Sequence, residues 1–134
     1  MKVKWLDRNL FMSPYYYGLA TTEATFYAAL KSAKVPREDW PADVLGEHSN
    51  ATVHYVKNTK GQRIALVFIK PKKDTTGVQI AALLVHEAMH IWRRIREDVG
   101  EWQPSREFEA YAMQCISQEL MQAYADTLKP RRRA

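Results

Sequence analysis

The sequence has one cysteine among its 134 residues, Cys115. No disulfide can close within the chain, and nothing in it calls for an oxidising compartment. Long apolar runs are missing too. No segment approaches membrane-spanning length, and the start, Met1-Lys2-Val3-Lys4-Trp5-Leu6-Asp7-Arg8, carries charge where a signal peptide has its apolar stretch, so a cytoplasmic protein with no membrane partner is expected. Internal repeats are absent. A one-signed charge excess is nearly absent from the body of the chain, because Lys129, Arg131, Arg132 and Arg133 supply four of the five net positive charges. That argues against a nucleic-acid-binding domain, and the terminal basic run reads as a solvated end. The length suits one compact domain, residues 1–128, followed by a basic tail, residues 129–134.

Against these absences stands the run Val85-His86-Glu87-Ala88-Met89-His90-Ile91. Two histidines four apart lie about 40° apart around an α-helix and one turn apart along it, so both imidazoles can reach one metal ion. Glu87 projects about 100° from His86, beside the metal rather than among its ligands. There it suits a general base toward a water that a catalytic zinc has made more acidic. An accidental H-E-x-x-H would arise in roughly one such sequence in a hundred, which makes chance a poor explanation. The preceding apolar run, residues 78–85, and the following Ile91, Trp92 and Ile95 continue a helical pattern, so a buried helix from about Val78 to Glu97 is expected. Histidines and a glutamate on a buried helix need partners, which a metal supplies.

A catalytic zinc takes a third protein ligand. Downstream, Pro104 and Ser105 open a second helix that runs to about Leu128, with Pro130 stopping it. Phe108, Ala112, Cys115, Ile116 and Ala123 mark its apolar face. Glu109 falls at the edge of that face and is the preferred ligand. Glu107 points away from it, and as runner-up has the alternative role of a solvated first-turn acid.

H-E-x-x-H followed by a glutamate on a second helix resembles the gluzincin group of zinc metallopeptidases. Ser105-Arg106-Glu107-Phe108-Glu109-Ala110-Tyr111-Ala112 is similar to the third-ligand helix of membrane gluzincins, Ser-Arg-x-x-Glu-x-x-Ala-Asp, with the ligand position on Glu109 and the family's Asp replaced by Met113. Over most of its length the chain resembles the small zinc metallopeptidases of tailed phages and prophages. The resemblance implies a zincin-like fold and hydrolysis of a protein or peptide substrate, in the host cytoplasm if the gene is a phage's.

The remaining chain is read more plainly. Residues 1–14 show no period and end in a Ser-Pro turn signal; Tyr15-Tyr16-Tyr17 reads as a packed edge of the core. Thr21 or Thr22 caps a helix through Ala33. Lys34 to Asn50 is a loop with one turn of helix near Pro41 to Leu45, and its His48 reads as an exposed loop residue. Ala51 to Lys57 and Arg63 to Lys70 form a hairpin. His54 reads as a surface or core residue before a cleft one. Tyr111 is a candidate electrophile toward a tetrahedral oxyanion, with a core aromatic as the more ordinary role.

The expected architecture is therefore α+β: a covering helix, a short antiparallel sheet, and two long helices sharing a zinc ion held by His86, His90 and Glu109, with Glu87 as general base. The expected function is that of a zinc metallopeptidase. The alternative is a phage structural or interaction protein with a non-catalytic zinc site, which would have no use for Glu87.

Overall fold

The apolar run of residues 64–69 is too short for a helix and free of breakers, and it becomes the middle strand of a sheet in the computed structural model, which describes residues 2–6, 13–46 and 49–130. In chain order the elements are β1 (Tyr15–Ala20), α1 (Glu23–Ser32), a 3-10 turn at Arg37–Asp39, β2 (Ala51–Lys57), β3 (Arg63–Ile69), α2 (Gly77–Asp98) and α3 (Arg106–Thr127). The sheet order is β1-β3-β2, with β2 antiparallel to β3 and β1 parallel to it. The α+β class and the hairpin agree with the sequence. Two expectations are corrected: the sheet is mixed rather than antiparallel, and the extra helical turn lies at Arg37–Asp39 rather than near Pro41.

Helices cover both faces of the sheet. On one, Tyr15, Tyr17, Ala65, Val67 and Ile69 pack with Leu84, Ala88, Ile91 and Ile95 of α2 and Ala112, Ile116 and Leu120 of α3. On the other, Ile64, Leu66 and Phe68 pack with Phe26, Ala29 and Leu30 of α1. Alternate residues of β3 face opposite layers, and all six from Ile64 to Ile69 are at most 2% exposed. Burying side chains of this size stabilises the fold by about 1.5–3 kcal/mol each relative to exposure.

Each helix begins on a side-chain cap. Thr22 caps α1 and Ser105 caps α3, and Thr76 with Gln79 forms a capping box at the start of α2. At its other end α2 is fastened to the sheet: the Tyr15 hydroxyl donates to Asp98 at 2.5 Å, Arg63 pairs with Asp98 at 3.2 Å, and Arg94 Nε donates to the Tyr15 hydroxyl at 3.2 Å. No helix among the described residues is long and apolar enough to cross a membrane.

Candidate metal centre

The helix carrying the histidines is amphipathic rather than buried all round. Leu84, Glu87, Ala88, Ile91, Trp92 and Ile95 are buried, while Val78, Val85, His86, Met89 and His90 are exposed. This corrects the expectation of a buried helix, since the apolar run of residues 78–85 covers more of the helix circumference than the sheet and α3 can occupy.

His86 and His90 stand together, with Nε2 atoms 3.1 Å apart and ring centroids 4.8 Å apart at 74°. Two imidazole nitrogens this close must share either a proton or a cation. The spacing suits two ligands of one tetrahedral zinc, each about 2.0–2.1 Å from the ion at an angle of about 100°. This half of the donor set fits the ion by chemistry and by geometry.

Glu87 turns toward the sheet. It is 4% exposed, and among the described residues no donor reaches its carboxylate. Burial raises its pKa above the usual carboxylate range, while the nearby His86 and His90 hold it down in part. Glu87 and His86 line an open groove of about 600 Å³ with Ala51 and Asn50 at the start of β2 and with Lys72 and Gln79. β2 is an edge strand of the sheet. Its residues 51, 53 and 55 face α2, so Tyr55 also lies along this side, with the Arg94 guanidinium 4.7 Å from its ring centroid. Its phenol is pushed up to about 12, chiefly by burial, with Arg94 opposing and Tyr15 and Glu87 adding to the rise. The alternation of Val53 and Tyr55 with Thr52 and His54 is visible in the sequence, but which set meets α2 depends on packing.

Glu109 lies on the other flank of α2. Its Oε2 accepts from Trp92 Nε1 at 2.9 Å and from Arg96 at 3.1 Å. These donors, the Trp92 bond first, lower its pKa below the usual range. Trp92 and Arg96 are roughly 120° around the helix from the His86–His90 pair. The structure thus joins His86 with His90 and sets Glu87 beside them, but does not bring Glu109 to them. Among the described residues no three His, Cys, Asp or Glu side chains are gathered as a metal site. Trp92 and Arg96 went unrecognised in the sequence as partners of Glu109. Their four-residue spacing put them on one helix face, yet nothing local told which acid of α3 they would meet.

The other candidates fall elsewhere. Glu107 is exposed at the start of α3 and Glu109 half-buried, as the helical wheel predicts. Tyr111 is 59% exposed, which corrects the core-aromatic reading: it projects about 100° from the buried Ala112. His54 lies on the sheet face opposite α2, against Phe26 at 5.1 Å, with Nε2 2.6 Å from the Val44 carbonyl oxygen, so it is a packed residue and not part of this groove. His48 lies outside the described residues, as do Arg131, Arg132 and Arg133 of the tail. The Cys115 thiol is half-buried beside Glu119 at 3.6 Å, and burial, with Glu119 second, raises its pKa.

No family model matches the chain, and neither a curated protein nor a solved structure matches it.

Proposed function

We propose that the chain is a zinc-dependent metallopeptidase. The observation that carries the reading is the 3.1 Å pairing of His86 and His90 Nε2 beside a buried Glu87 that no donor reaches among the described residues and that opens on a groove along an edge strand. His86 and His90 would hold the metal, with Glu109 as third ligand. Zinc, when bound, supplies Lewis acidity toward a carbonyl oxygen and makes water more acidic.

The chain's own residues account for the rest. Glu87 accepts a proton from the attacking water and returns it to the leaving amine, and its burial-raised pKa brings its proton affinity closer to neutrality, where such an exchange is efficient. The outer edge of β2 offers backbone N–H and C=O groups to an extended peptide, which fixes the peptide's direction past His86 without demanding a particular side chain. For Glu109 to serve as ligand, Oε1, which accepts no bond among the described residues, would turn to the ion, or Oε2 would leave Trp92 and Arg96. The alternative, a phage structural or interaction protein with a non-catalytic zinc site, would need that site closed by four protein ligands, and it has no use for Glu87.

Two measurements separate these readings. Elemental analysis should find about one zinc per chain, lost in the double variant His86→Ala/His90→Ala. Glu87→Gln should keep zinc and fold while peptide cleavage across a panel of unfolded proteins falls by about 10²- to 10⁴-fold. Wild-type protein with full zinc that cleaves nothing in the panel would transfer the site to the structural reading.

A further inference from the structure

On the sheet face opposite the histidines, a cleft of about 290 Å³ lies between the end of α1, the β2–β3 turn and the N-terminal segment. Its walls include Trp5 and Tyr16, Lys34 and Lys60, and Asn58 and Gln62. The volume is close to the lower end for small-ligand sites.

Each wall is fixed by the fold. Trp5 lies across β1 because residue 18 is glycine: a Cβ there would come within 2.9 Å of Val3 and 3.1 Å of Trp5. The Leu6 N–H bonds the Tyr17 carbonyl at 3.0 Å and holds the segment in place. The turn is organised by Asn58, whose Oδ1 accepts from the backbone N–H groups of Lys60 and Gln62 at 3.0 and 2.9 Å, while its Nδ2 donates to Gln62 Oε1. Lys34 is the informative residue. It follows α1 with φ 62, the left-handed position where glycine is favoured because a Cβ is strained there. Its carbonyl accepts from Thr59 N–H at 3.0 Å, tying the helix end to the turn. A lysine kept in a conformation that suits glycine is a local cost to the fold, and its side chain is a wall of the cleft. Lys34 and Lys60 are exposed, and none of the three ion pairs among the described residues involves either.

Two aromatic residues and two exposed lysines that join no ion pair among the described residues suit a planar base carrying a phosphate. We propose that this cleft binds a nucleotide, free or at the end of a single strand, with the base against Trp5 and Tyr16 and the phosphate between Lys34 and Lys60. An acidic peptide would use the lysines but leave the aromatic walls without a partner. The site is independent of the zinc reading, since it lies across the sheet from α2.

The test uses the full chain and isotope-edited NMR. The probes are the four ribonucleoside monophosphates, thymidine monophosphate, adenosine, inorganic phosphate, a 5′-phosphorylated oligothymidylate and oligoglutamate. At least one monophosphate should saturate shifts at Lys34, residues 58–62 and the Trp5 indole, and bind about tenfold tighter than adenosine or phosphate alone. Lys34→Gly should weaken that binding about fivefold or more while leaving Tm and zinc content unchanged or raising Tm, because glycine relieves the left-handed backbone. Lys60→Gln should weaken binding without changing the fold. The oligothymidylate binding about tenfold tighter than thymidine monophosphate assigns the site to a single strand, and equal affinities assign it to the free nucleotide. No saturable shift with any monophosphate or with the oligonucleotide, binding indifferent to both lysine changes, or oligoglutamate binding as tightly as the nucleotides, would overturn the proposal.

Discussion

The two flanks of α2 treat a glutamate in opposite ways. On the β2 side Glu87 is almost wholly buried, yet no donor reaches its carboxylate among the described residues. On the α3 side Glu109 is partly open to water, yet one of its oxygens carries two hydrogen bonds, from Trp92 and Arg96. Burial raises the pKa of the first, and the donors lower that of the second. Exposure alone would have predicted the reverse order of availability. A carboxylate buried this far that no donor reaches among the described residues is poised to take a proton, whereas one already bonded must give something up to take a metal.

The comparison can be broken most severely at Trp92, which is 1% exposed and packs edge-on against Phe108 at 5.7 Å. Trp92→Ala should remove about 3–5 kcal/mol of stability by chemical denaturation, since the cavity is large and Glu109 loses its indole donor. A loss well under 1 kcal/mol would mean that the α3 flank is not anchored as described.

The next test sharpens the role of the bonded acid. Under the zinc reading Glu109→Ala should lower zinc affinity by at least about 10- to 100-fold in a competition titration, and Glu107→Ala should leave it nearly unchanged. The opposite ranking would move the ligand to Glu107. No effect from either would leave Glu109 as a partner of Trp92 and Arg96 only.

The smallest expected effect is a contrast in pH dependence of unfolding, measured on protein without metal. Glu87 has a folded pKa above its unfolded one, so the folded state binds the extra proton and stability falls as pH rises from the ordinary glutamate range to the raised value. Glu109 has a folded pKa below its unfolded one, so its contribution is present above the ordinary range and is lost as pH falls through the lowered value. Glu87→Gln should flatten the first slope and Glu109→Gln the second, and equal changes from both would erase the difference between the flanks.

The sequence made the local part of this arrangement legible. Helical spacing alone joins His86 with His90 and sets Glu87 to one side, and of the two threonines offered as the cap of α1 it is Thr22 that serves. β1 was not legible. Tyr15–Ala20 is covered by α2 and α3 on one face and largely by the N-terminal segment on the other and so shows no alternation, it contains Gly18, and its pairing with β3 joins residues as far apart as Tyr15 and Arg63. The same non-locality hid the partner of Glu109. The wheel put it at the edge of the buried face, but that edge meets Trp92 and Arg96, and only the packing of α3 on α2 decides this.

The fastening of Asp98 to Tyr15 and Arg63 has a mechanical consequence. It makes the last turn of α2 a pivot, and the histidines lie up the shaft from it. His90 is about 12 Å and His86 about 18 Å from that point along the axis, so a tilt of about 5° would carry them by about 1 Å and 1.6 Å respectively. The two rings sweep unequal arcs relative to β2 and α3 while keeping their own separation, so angular play at a joint that neither of them touches moves the pair against the groove.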